Sequence, residues 1–96
     1  MTQNYDLIES NNNLLFRQLK EDSIQAFQTI YSAYKENVHY LVKSKITKSC
    51  DAEDLVQDVF MKLWEYRKEI DENRAPVGLL FRMTINKVHN YRRRVE

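Results

Sequence analysis

Ala52, Leu55, Val56, Val59, Phe60, Leu63 and Trp64 recur at offsets of 0, 3, 4, 7, 8, 11 and 12 along one short stretch of this chain. A helix turns once every 3.6 residues, so these side chains form one continuous apolar stripe, whereas a strand would need a period of two. The other side of the same helix carries Asp54, Gln57, Asp58, Met61 and Glu65, and is polar and mostly acidic. Asp51 stands where its side chain can cap the first turn, and Glu53 and Asp54 lie near the positive end of the helix dipole. A helix this one-sided is stable only with its stripe covered, so the rest of the chain must supply packing partners.

Two further segments have the required pattern. Phe27, Ile30, Tyr31, Tyr34, Val38, Leu41 and Val42 fall at offsets of 0, 3, 4, 7, 11, 14 and 15, after a cap at Asp22 or Ser23. Val77, Leu80, Phe81, Thr84, Val88 and Tyr91 make the inner stripe of a helix predicted from Pro76 to about Arg94, with proline at home in its first turn. A second face of that helix carries Arg82, Asn86, His89, Asn90 and Arg93. Residues 44–50 and the charged, patternless run 68–75 read as loops. Asn12 or Asn13 can cap a short helix bearing Leu14, Leu15 and Leu19 and ending near Glu21. One Gly and one Pro in 96 residues leave little material for the turns a sheet requires. The expected fold class is therefore all-α, a bundle of three main helices plus a short N-terminal one. Residues 1–13 read as a flexible N-terminal arm, and 14–96 as a single domain.

Charge sorts the chain further. Residues 51–72 hold three basic and eight acidic side chains, and residues 73–96 hold six basic and one acidic, although the whole chain nets only +1. Two surfaces of opposite sign follow, and a basic C-terminal stretch is the footprint of a phosphate-rich partner. Solvated helix faces would give the same counts. The single cysteine, Cys50, excludes an internal disulfide and a cysteine-based metal site. His39 and His89 have no ligand-type neighbours at metal spacing, so neither a metal nor a cofactor is expected. No nucleophile–base pairing or glycine-rich phosphate loop points to an enzyme. No apolar run approaches 18 residues and Met1–Asn13 is polar and acidic, which argues against membrane insertion or export and for a cytoplasmic protein.

The run Asp51-Ala-Glu-Asp-Leu-Val-Gln-Asp-Val-Phe-Met-Lys-Leu-Trp64 closely resembles the "AEDxxQxxFxxxW" signature of region 2 in extracytoplasmic-function (ECF) sigma factors of the bacterial sigma-70 family. Ahead of it, Ala26-Phe27 with Tyr31 and Tyr34 is similar to that family's "AFxxLYxxY". Behind it, Pro76 to Asn86, then Tyr91 and Arg93-Arg94, is similar to "WLxxIxxNxxxDxxRR". Leu79 and Asn90 depart from the pattern, which often has Trp or Tyr at the first position and Asp at the second. The resemblance spans about residues 14–94 and rests on three ordered segments, which is more specific than any one alone.

The resemblance implies a region 2-like domain with three partners: the β′ clamp helices of RNA polymerase core, the non-template strand of the −10 promoter element, and an anti-sigma factor. Asp54, Gln57, Asp58, Met61 and Glu65 would form the polymerase-binding stripe, in which carboxylates pair with arginines. Arg82, Lys87, Arg93 and Arg94 would follow phosphates, and Asn86 and Asn90 carry the donor–acceptor pair that reads a base edge. The loop Glu72-Asn73-Arg74 falls where the family holds one flipped-out base, which adds Asn73 and Arg74 to the DNA set. The last arginines would also suit the C-terminal turn of any helix. The chain stops at Val95 and Glu96 without a cap, as a piece of a longer protein would, and the −35-binding domain of such factors is absent from it. Two other readings fit the charges: a helix-turn-helix-like domain that reads duplex DNA, and a helical protein–protein adaptor.

Overall fold

The ends of the first helix show how this chain turns corners without glycine. The structure, a computed structural model, describes residues 12–95, and most of the expected N-terminal arm lies outside the described residues. Helix α1 occupies residues 12–20, so Asn12 and Asn13 already belong to it. It closes with paired bonds, from the Ser23 N–H to the Gln18 carbonyl at 3.1 Å and from the Asp22 N–H to the Leu19 carbonyl at 3.0 Å. This closure puts its penultimate residue in the left-handed region, a place usually given to glycine. Asp22 takes it with φ of 68°, aspartate being one of the few other residues that tolerate it. Ser23 then starts α2, Ile24–Lys43, its Oγ accepting from the Ala26 N–H at 3.0 Å. Of the two candidate caps, Ser23 caps α2 and Asp22 ends α1.

Helix α3, Ala52–Glu65, follows a short 3₁₀ turn, Ser49–Asp51. The capping role expected for Asp51 is not what the structure gives. Its backbone is helical rather than extended, and its side chain makes no capping bond. The carboxylate instead accepts from the Tyr91 hydroxyl at 2.5 Å, tying the start of α3 to the end of the last helix. That helix, α4, runs from Pro76 to Val95. The connection between α3 and α4 contains a second 3₁₀ turn, Arg67–Glu69.

α3 lies at the centre and packs against both α2 and α4, which also touch each other. Its stripe is buried along its length except Trp64, which is half-buried. Ile30, Val38 and Val42 of α2 and Leu80, Val88 and Tyr91 of α4 meet it. Burying a side chain of this size contributes roughly 1.5–3 kcal/mol, so the shared stripe is the main source of stability. Edge-on aromatic pairs stitch the helices together: Phe27 on Trp64, Tyr31 on Phe60 and Tyr34 on Phe81, with centroids 5.4, 4.8 and 6.5 Å apart. Thr84 is fully buried and satisfied, its hydroxyl donating to the Leu80 carbonyl at 2.9 Å.

Two anchors differ from the sequence expectation. Leu14 is 42% exposed, and α1 is held by Phe16 and Leu19, both fully buried. Ile70, inside the run that shows no pattern, is 1% exposed and plugs the α3–α4 connection into the core. The architecture is all-α among the described residues, three long helices and a short first one. No helix among those residues is long and apolar enough to cross a membrane.

Candidate nucleic-acid and partner interfaces

The outer face of α3 presents Asp54, Gln57, Asp58, Met61 and Glu65 within an arc of about 100° around the helix axis. All five are exposed, Met61 by 61%. Among the described residues the carboxylates of Asp54, Asp58 and Glu65 have no hydrogen-bond or ion-pair partner. The face is a row of unneutralised negative charge around one apolar side chain, a surface suited to a basic helix.

The connection from α3 to α4 is held in place by side chains distant in sequence. The Asp22 Oδ1 lies 2.8 Å from Arg67 Nε and 2.9 Å from Lys68 Nζ. Lys68 also donates to the Lys20 carbonyl at 2.6 Å, and Lys20 Nζ pairs with Glu72 at 3.2 Å. Arg67 donates to the Trp64 carbonyl at 2.8 Å, and its guanidinium sits 3.9 Å from the Trp64 ring centroid. Hydrogen bonds from Lys68 and then Arg67 hold the Asp22 carboxyl below its ordinary range. Glu72 is lowered by a bond from its own backbone N–H and then by Lys20. Asp71 shapes the tip, its carboxylate accepting from the Asn73 N–H at 3.0 Å and its carbonyl from the Arg74 N–H at 3.0 Å. Ala75 closes the connection in the left-handed region, at φ of 49°.

This clamped segment and the start of α4 border an open cleft of about 620 Å³, lined by Tyr66, Asp71, Arg74, Pro76, Leu79 and Arg82 among others. Of the predicted loop triplet, Arg74 lines the cleft, Asn73 is exposed at the tip, and Glu72 turns toward Lys20. From Arg82 at the rim, Asn86, Asn90 and Arg93 continue along one exposed stripe of α4. Asn90 accepts from Arg93 at 3.4 Å. Lys87 and Arg94 lie about 100° around the helix from that stripe, at the edge of the buried face, and Lys87 is partly covered. Arg74, Arg82, Lys87 and Arg94 have no side-chain partner among the described residues. The predicted DNA residues are thus brought together as a cleft plus a stripe, with Lys87 and Arg94 to one side.

The sequence reading missed Tyr66 and Leu79 as cleft walls. Tyr66 is 39% exposed and immediately follows the end of α3. An aromatic just past a completed core stripe was the available signal. Arginines beside an aromatic wall can neutralise phosphate and give a base a face to stack on.

A family model described as Sigma-70 region 2 matches residues 30–96. The NMR structure of the complex formed by an engineered region 2 of sigmaE with GTAAAA superposes with a TM-score of 0.79 at 28% identity, covering 88% of this chain and 93% of that one. The structure of CnrH in complex with the cytosolic domain of CnrY gives a TM-score of 0.77 at 25% identity, over 82% of this chain. This chain spans 51% of the CnrH chain. A comparison with curated protein sequences found no match.

Proposed function

This chain belongs to the Sigma-70 region 2 family, and from that premise we propose that it is the promoter-melting domain of a bacterial ECF sigma factor. Its α3 face docks on the clamp helices of the polymerase β′ subunit. Its α3–α4 connection and α4 capture the non-template strand of the −10 element. The observation that carries this reading is the cleft between Tyr66, Arg74 and Arg82 opening onto the Arg82–Asn86–Asn90–Arg93 stripe. The cleft accepts one base turned out of the stack, with Tyr66 and Leu79 as walls and Arg74 and Arg82 on the flanking phosphates. Asn86 and Asn90 offer donors and acceptors to neighbouring bases, and Lys87, Arg93 and Arg94 lead the strand away. The likeness to a region 2 solved with GTAAAA supports a single-stranded ligand.

The mechanism is capture rather than chemistry. Holding unpaired bases shifts the equilibrium between duplex and bubble toward the bubble, by as much as the domain binds the open strand better than the closed one. The acidic α3 face keeps the domain on polymerase while it does so. An anti-sigma factor is a third partner in this reading; CnrH, which shares the fold, was solved in complex with the cytosolic domain of CnrY.

A duplex reader of helix-turn-helix type has a three- or four-residue turn before its recognition helix, whereas here residues 66–75 intervene. Affinity for a pre-opened bubble against the same sequence as full duplex, measured with core polymerase present, tests the proposal. Binding to the bubble should be tighter by about tenfold or more. Equal or tighter binding to duplex would replace it with a major-groove reader.

A further inference from the structure

The corner between α1 and α2 carries none of the residues assigned to a partner above, and it supplies the groups that fix the connection beside the cleft. We propose that Asp22 and Lys20 are positioning residues for base selection: they clasp residues 67–72 so that Tyr66 and Arg74 keep the spacing a captured base requires. This rests on the reading of the cleft given above and extends it to two residues outside the cleft lining.

Three observations carry it. The first is geometry. Asp22 holds Arg67 and Lys68 at 2.8 and 2.9 Å, Lys68 reaches the Lys20 carbonyl at 2.6 Å, and Lys20 holds Glu72 at 3.2 Å. All four contacts join the same corner to the same short segment, across 45 to 52 residues of sequence. Ile70 sits between them as a buried peg. The second is the identity of residue 22. The left-handed turn alone is best served by glycine, and an aspartate there adds a carboxylate that glycine cannot offer. The third is the proportion between the contacts and any role in stability. The pairs lie at the surface, Lys68–Asp22 exposed on both sides and the other two part-buried. Ion pairs that stay in reach of water contribute little to global stability, so the consequence of the set lies in the shape of the loop it restrains. The lowered titration of the Asp22 carboxyl agrees with the two cations being held close.

The clasp acts through loop order. Tyr66 precedes the restrained segment and Arg74 follows it, so releasing 67–72 widens the distribution of their separation. A pocket that must match one base to within a fraction of an ångström then loses selectivity before it loses attraction for phosphate.

Asp22→Gly keeps the turn and removes the carboxylate. Glu72→Lys breaks the second pair, and Lys20→Glu with Glu72→Lys restores it in reverse. Single-stranded hexanucleotides differing at one position are bound to the wild-type domain to find its preferred base, and the ratio of affinities for preferred and disfavoured hexamers is then measured for each variant. A ratio cancels any uniform gain or loss of phosphate attraction. Asp22→Gly and Glu72→Lys should each reduce it by about threefold to tenfold, and the reciprocal double variant should recover it. Amide exchange at Glu69, Ile70 and Arg74 should quicken in the single variants by about fivefold or more while α3 stays protected. A discriminating wild type whose variants discriminate equally overturns the clasp alone, as does unchanged loop exchange. A wild type that binds all hexamers alike overturns the cleft reading and the clasp with it.

Discussion

Two charged stretches of this protein meet opposite fates. On the outer face of α3, Asp54, Asp58 and Glu65 stand exposed with no partner among the described residues. In the connection that follows, Arg67, Lys68 and Glu72 are each engaged by Asp22 or Lys20. In the sequence both stretches are charged and neither carries an apolar stripe of its own. The difference lies in what else the fold brings near, and it separates charge left available to a partner from charge that shapes a loop.

The largest effect that sharpens this contrast comes from the peg rather than the charges. Ile70→Ala should lower the unfolding free energy by about 2–5 kcal/mol in chemical denaturation. Met61→Ala, a comparable truncation on the exposed α3 face, should change it by less than about 0.5 kcal/mol. Similar losses at both sites would mean that the two stretches are not distinct in kind. Next in size, Asp58→Arg should weaken binding to a polymerase clamp-helix fragment by about tenfold or more. Its affinity for single-stranded DNA should stay within about twofold, and loss of both would merge the two proposed surfaces.

Gly78→Ala in α4 should raise stability by about 0.5–1 kcal/mol, since the added Cβ meets nothing closer than the Ala75 Cβ at 3.8 Å. A fall in the thermal midpoint would contradict the open space there. Smallest is the response to acid. Asp22 and Glu72 titrate below their ordinary values of 3.8 and 4.5. Their pairing is therefore fully present above those values and is lost as the pH falls through the lowered ones. Amide exchange in 67–74 should quicken on acidification through that window, and a loop that tightened instead would reverse the sign of the pairing.

The helices were legible because their stripes are local. Seven positions over thirteen residues place α3 without any knowledge of its neighbours, and the same arithmetic found α2 and α4 within a residue or two of their ends. Asp51 was misread because capping depends on one backbone torsion, and the helical value there sends its carboxylate to Tyr91. The clasp was invisible for a different reason. Its partners are 45 to 52 residues apart, and no periodicity links an α1 corner to a loop beyond α3. The cleft was legible in part: its arginines stood out by charge, while Tyr66 and Leu79 became walls only when the connection folded back beside α4.

The salt dependence of single-stranded DNA binding tests the central distinction most directly, because its slope counts the cations that neutralise phosphate. Arg82→Ala should lower the slope of log affinity against log salt by about 0.7. Arg67→Ala removes the same charge a short way off, from a cation already held by Asp22 and Trp64. It should leave the slope unchanged even if affinity falls. An equal loss of slope in both variants would show that the clasped charge is also offered to DNA, and would contradict the division between the two regions.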